Sequence, residues 1–182
     1  LEFVRVTEAA AIAAASWIGR GDKIVADQAA GDAMRSRFNQ IDFRGRVVIG
    51  EGTKDEAPEL YEDERVGKGK GVIMDIAVDP LEGTTNTAFG YPNAMSVIVA
   101  GAKNTLMPMP ASKFYIEKLA VGPQDASVID IEAPVKDNIQ KTAKALGKSI
   151  KELTVVVLER ERHAGLIVEL RNAGVRIRLI NA

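Results

Sequence analysis

Cysteine is absent from this 182-residue chain, and histidine occurs once, as His163. Disulfides, zinc–thiolate sites and thiol nucleophiles are therefore excluded. A single histidine also removes His-rich metal sites and argues against a Ser-His-Asp triad. Metal chemistry has to rest on Asp and Glu oxygens, which favour Mg²⁺, Mn²⁺ or Ca²⁺ over zinc. No apolar run is long enough to span a bilayer, and no signal-peptide pattern opens the sequence; cytoplasm is the expected location. An excess of one charge is lacking too. Lys and Arg number 24 against 25 Asp and Glu, which gives no basic field for nucleic acid and no acidic arm for a partner.

What is present is a globular balance of 46% hydrophobic and 27% charged residues. The length suits one domain, or one domain and part of another. Leu1 is not a methionine and Ala182 follows directly on a strand-like run, so a piece of a longer protein is expected.

Phe3, Val6, Ala10, Ala13 and Trp17 recur at helical spacing and predict a helix closing near Gly19. A flexible Gly19-Arg20-Gly21-Asp22-Lys23 turn follows, and a second helix is predicted from about Asp27 to Asn39. Arg46–Ile49, Val72–Val78, Ala94–Ala100 and Tyr115–Val121 read as strands. Residues 122–134, with Gly122, Pro123 and Pro134, form a linker candidate. Beyond it come a helix closed by Gly147, a capping box at Ser149, a strand at Thr154–Leu158, a helix over 162–172 and a strand with Val175, Ile177 and Leu179. The expected class is α/β, a layered α+β sandwich. Two domains are expected, at 1–124 and at 125–182, the second Rossmann-like and incomplete.

The chemistry concentrates in Asp79-Pro80-Leu81-Glu82-Gly83-Thr84-Thr85-Asn86, which follows the apolar run of residues 71–78. Two carboxylates three residues apart offer oxygens to hard cations. Gly83, Thr84 and Thr85 offer N–H groups and hydroxyls to a phosphate. Asp27 and Glu51 also stand at element ends, and ligands from the carboxyl ends of neighbouring strands can meet in one crevice. Asp27 is equally an N-cap candidate, and Glu51 equally a turn carboxylate between glycines. Thr84 suits the holding of an attacking water, or a helix cap. Asp55 is a candidate base within a crowd of solvated acids. Lys23 offers a balancing charge or an ordinary exposed turn lysine. Arg160 and Arg162 offer guanidinium groups to a second phosphate, or a solvated charged face with Glu161. Tyr115 offers a stacking ring for a sugar, or a core strand residue.

Taken in order, several segments resemble the class II fructose-1,6-bisphosphatase family, within the lithium-sensitive, metal-dependent sugar and inositol phosphatases. They are Val6-Thr7-Glu8-Ala9-Ala10, Gly19–Lys23, Val48–Gly52, Asp55-Glu56-Ala57-Pro58 and Asp75–Thr84, with Glu117–Pro123, Ala145–Lys148 and Arg162-His163 downstream. The resemblance implies a sugar-phosphatase-like fold and hydrolysis of the 1-phosphate of fructose 1,6-bisphosphate, a gluconeogenic reaction. It implies two divalent ions, Mn²⁺ or Mg²⁺, with Asp27 and Glu51 matching ligands of one and Asp79 and Glu82 of the other. Asp55 and Thr84 match the acid–base and water-positioning residues, with Lys23 beside them. Glu82, Gly83, Thr84, Tyr115, Arg160, Glu161 and Arg162 match substrate contacts. The family chain runs further and supplies another glutamate ligand. Where the family tends to carry Asp-Gly-Asp, this sequence has Asn181-Ala182. Alternatives are another sugar bisphosphate or inositol phosphate as substrate, or a non-catalytic fragment that needs a companion segment. A homo-oligomer is expected, with neither nucleic acid nor membrane as partner.

Overall fold

The computed structural model describes residues 1–52, 58–108 and 116–181. The chain divides into two compact units, Leu1–Ala111 and Ser112–Asn181, where the expected domains were 1–124 and 125–182. Its class is mixed α/β.

In the first unit, helices α1 (Glu2–Ala15) and α2 (Lys23–Phe38) pack on one face of a sheet. Val6, Ala10 and Ala14 of α1 are buried with Ala26, Ala30, Met34 and Phe38 of α2. The alanines let the two backbones approach closely, and the larger Met34 and Phe38 fill the base of the core. There Phe3, Phe38 and Phe43 form an aromatic cluster, with Phe3 edge-on to Phe43 at 5.1 Å between centroids.

The sheet runs β2 (Arg65–Val66), β1 (Arg44–Ile49), β3 (Ile73–Glu82), β4 (Met95–Ala102) in spatial order. β1 and β3 are parallel, while β2 and β4 run antiparallel to their neighbours. Val47, Ile76 and Val78 turn toward the helices and join the buried core. Parallel pairing of β1 with β3 sets their carboxyl ends at the same edge of the sheet, and Ile49 registers with Ala77.

The sequence predicts that the third strand stops at Val78. It continues instead through Asp79, Pro80 and Leu81 to Glu82. Between Asp79 and Glu82 the pairing with β4 slips, from Val97 to Met95. This bulge accommodates Pro80, whose missing N–H would break a regular ladder. α3 (Thr84–Phe89) follows at once.

A strand predicted at Tyr115–Val121 is not formed over 116–121, where the residues are exposed and pair with no strand among those described. Alternating apolar residues make a strand only where a partner accepts from their N–H groups and donates to their C=O groups.

The second unit holds α4 (Val135–Ala145), β5 (Thr154–Leu158), α5 (Ala164–Ala173) and β6 (Arg176–Ile180). β5 and β6 pair in parallel, as a βαβ unit requires. Ile139 and Ala143 meet Leu153, Val157, Ile167 and Leu170 in a separate core. The predicted capping box is present: Ser149 N–H donates to Glu152 Oε2 at 2.8 Å, at the start of a short 3₁₀ turn.

Candidate active site

Of the predicted residues, Asp27 and Asp79 act on Glu51, and Glu82 and Asp27 act on Asp79. Asp79 and Glu82 straddle the bulge at the end of β3, so one extra residue brings both side chains within hydrogen-bonding reach. Glu51 lies two residues past Ile49, and Asp79 two past its partner Ala77, so the parallel register delivers them to the same edge. The main chain of Glu51 is fixed there, its N–H donating to Leu60 O at 3.0 Å. Asp27 approaches from α2, which packs against the same strand.

The second helix was expected to open near Asp27, with an N-cap as one role for that residue. It opens at Lys23, capped by Asp22, whose Oδ1 accepts from Val25 N–H at 3.0 Å. Asp22 directly before an apolar, helix-spaced run was the available signal. With capping assigned to Asp22, Asp27 sits one turn into the helix, half-buried.

The electrostatics bind these acids together. Glu51 is pushed up to about 7 by burial, then by the charges of Asp27 and Asp79. Its outer surface remains exposed, yet both causes act in one direction. Asp79 is also pushed up to about 7, by burial first, then by the hydrogen bond and charge of Glu82 and the charge of Asp27. Asp27 is raised by burial. Like charges crowded in a partly dehydrated space favour protons or cations over free carboxylates.

Among the described residues, no three acidic or histidine side chains form a closed metal cage. Charge repulsion reaches further than a metal–oxygen contact of about 2.0–2.6 Å. The carboxylates therefore share a neighbourhood without already forming a coordination shell. An all-oxygen set carrying this much unbalanced negative charge fits a hard divalent ion.

Gly83 is buried in a left-handed conformation, φ 84°, and turns the chain from β3 into α3. Thr84 is the first residue of that helix and half-buried, adjacent in sequence to the acid pair. Lys23 opens α2, with its Nζ 5.6 Å from the centroid of the Phe89 ring. Phe89 carried no signal in the sequence, because a lysine–aromatic contact across 66 positions has no local spacing.

In the second unit Arg160 precedes a 3₁₀ turn made by Glu161, Arg162 and His163, just after β5. The His163 ring is engaged by main chain, Nδ1 lying 2.7 Å from Leu158 O. Asp55 and Tyr115 lie outside the described residues.

A family model described as "Bacterial fructose-1,6-bisphosphatase, glpX-encoded" matches residues 1–182. Among curated proteins, Fructose-1,6-bisphosphatase 1 class 2 of Escherichia coli (strain K12) is 50% identical over 177 residues, 97% of this chain and 52% of that protein. Fructose-1,6-bisphosphatase class 2 of Haemophilus influenzae is 49% identical over 177 residues, 97% of this chain and 53% of that protein. The chain thus spans about half the length of the curated relatives it matches.

Proposed function

The chain belongs to the bacterial fructose-1,6-bisphosphatase family, and we propose that it serves hydrolysis of the 1-phosphate of fructose 1,6-bisphosphate to fructose 6-phosphate and inorganic phosphate. The observation that carries this reading is the meeting of Glu51 and Asp79, raised together by burial and neighbouring carboxylates, at the shared carboxyl edge of β1 and β3.

The family is metal-dependent. Asp27, Glu51, Asp79 and Glu82 would hold Mn²⁺ or Mg²⁺, two ions suiting the four-carboxylate set. Bound divalent ions supply Lewis-acid polarisation of phosphoryl oxygens and a more acidic water.

The chain's own groups do the rest. Thr84 Oγ1 orients a water in line with the phosphorus, and Asp55 receives its proton as the new O–P bond forms; the bond to the sugar oxygen breaks, and that oxygen takes a proton from solvent to leave as the sugar hydroxyl. Gly83 and Thr84 offer main-chain N–H groups to the phosphate. Lys23 offsets negative charge that the acids concentrate. Tyr115, Arg160, Glu161 and Arg162 are proposed substrate contacts on the family resemblance alone. The expected setting is a cytoplasmic homo-oligomer.

Phosphate release from fructose 1,6-bisphosphate with Mn²⁺ or Mg²⁺ tests the reading, in this chain and in a protein extended to the length of its relatives. If the extended protein releases no phosphate, the proposal fails. Sedoheptulose 1,7-bisphosphate and inositol phosphates, run alongside, decide substrate preference. Coverage of half the relatives' length supports a second reading, in which these 182 residues bind metal but turnover requires the remaining length. Clear turnover by the 182-residue chain excludes that alternative.

A further inference from the structure

The Phe89 ring has no part in the hydrolysis proposed above and is 53% exposed, so burial does not account for its placement. Its face meets the Lys23 ammonium at 5.6 Å, within the range where a ring quadrupole attracts a cation. Main chain brings the two segments together. Gly19 N–H donates to Thr87 O at 2.9 Å and Gly21 N–H donates to Ala88 O at 2.7 Å, joining the turn before α2 to the end of α3. Tyr91 adds a second ring beside Phe89, with centroids 6.4 Å apart. An unrestrained lysine side chain wanders through many rotamers, and ordering it costs entropy. A fixed aromatic face narrows that choice before substrate arrives.

α3 carries Thr84 at its first position and Phe89 at its last. One short helix thus presents the water-orienting hydroxyl and the ring that restrains the lysine. We infer that Phe89 is a positioning residue that holds the Lys23 ammonium in register with the α3 end of the site. This inference rests on the reading of Lys23 as a member of that site.

Two measurements test it. In the first, lysines are reductively methylated with ¹³C-formaldehyde, which keeps their charge, and the Lys23 signal is assigned with Lys23→Arg. Ring current from Phe89 moves that signal upfield of the other lysines. Phe89→Tyr preserves the shift and Phe89→Leu returns it to the common position. A Lys23 signal already at the common position, or unmoved by Phe89→Leu, overturns the inference without any reference to catalysis.

The second is a double-mutant cycle on Mn²⁺-dependent phosphate release, in whichever form of the protein turns over. Phe89→Leu lowers kcat/KM about two- to five-fold, Phe89→Tyr restores it, and Phe89→Leu costs nothing further in a Lys23→Met background. Penalties that simply add overturn the positioning role and leave the site reading intact. If Lys23→Met alone leaves turnover unchanged, both the positioning role and Lys23's place in the site fail.

Discussion

Asp79 and Glu51 hold protons near neutral pH because burial and neighbouring charge oppose their ionisation. Their folded pKa values, both about 7, exceed the ordinary values of 3.8 and 4.5. The folded chain therefore binds more protons than the unfolded chain between those limits. Their stabilising contribution is complete below the ordinary values and is lost as pH rises through about 7. Metal-free Tm of the wild type should accordingly fall relative to that of Asp79→Asn between about pH 5 and about pH 8. The two should converge at the acid end. A wild type that gains on the variant across this interval contradicts the assignment. Divalent cations require the ionised carboxylates, so Mn²⁺ affinity by calorimetry should rise over the same interval. Asp79→Asn should weaken Mn²⁺ binding and reduce turnover by at least about 100-fold, on the scale of losing an electrostatic catalytic group.

At the level of elements, the site depends on two local features of the backbone. One is the bulge around Pro80, which places Asp79 and Glu82 together. The other is the close passage of Gly50 against Leu60: a Cβ there would lie 1.9 Å from Leu60 O. Leu60 also accepts the Glu51 N–H, so Gly50→Ala must displace the segment that fixes Glu51. We expect it to cost about 1–3 kcal/mol in urea unfolding, as overpacking does, and to reduce Mn²⁺ affinity as well. Intact Mn²⁺ affinity with only a stability loss would show that Leu60 does not position Glu51. Behind the site, Phe38 is fully buried against Phe3 and Phe43. Phe38→Ala should cost about 3–5 kcal/mol through its cavity, and the urea midpoint should fall accordingly.

For the whole molecule, the two units each bury their own apolar cluster. Leu170→Ala, in the second cluster, should cost about 2–5 kcal/mol there. Native-state hydrogen exchange should then speed up for amides of β5 and β6 while those of β1 and β3 keep their protection. Uniform acceleration in all four strands would mean that the units unfold as one. Among the described residues no helix is long and apolar enough to cross a membrane.

Local sequence determined much of this protein. Helical spacing in α1, the Ser149 capping box and the parallel βαβ of the second unit are short-range patterns that residues impose on their own neighbourhood. Oxygen-only metal chemistry followed from the missing cysteines and single histidine, and the acid–Gly–Thr segment pointed to phosphate. Tertiary structure decided what no spacing encodes. It transferred helix capping from Asp27 to Asp22, carried β3 on past Val78 through a bulge, and denied residues 116–121 a partner. It also brought Asp27 close enough to raise the proton affinity of Glu51 and Asp79, and set Lys23 over Phe89. The physical reason is common to all of these. Strand pairing, burial and charge repulsion depend on distance through space, and residues far apart in the chain meet only once the sheet and helices have packed.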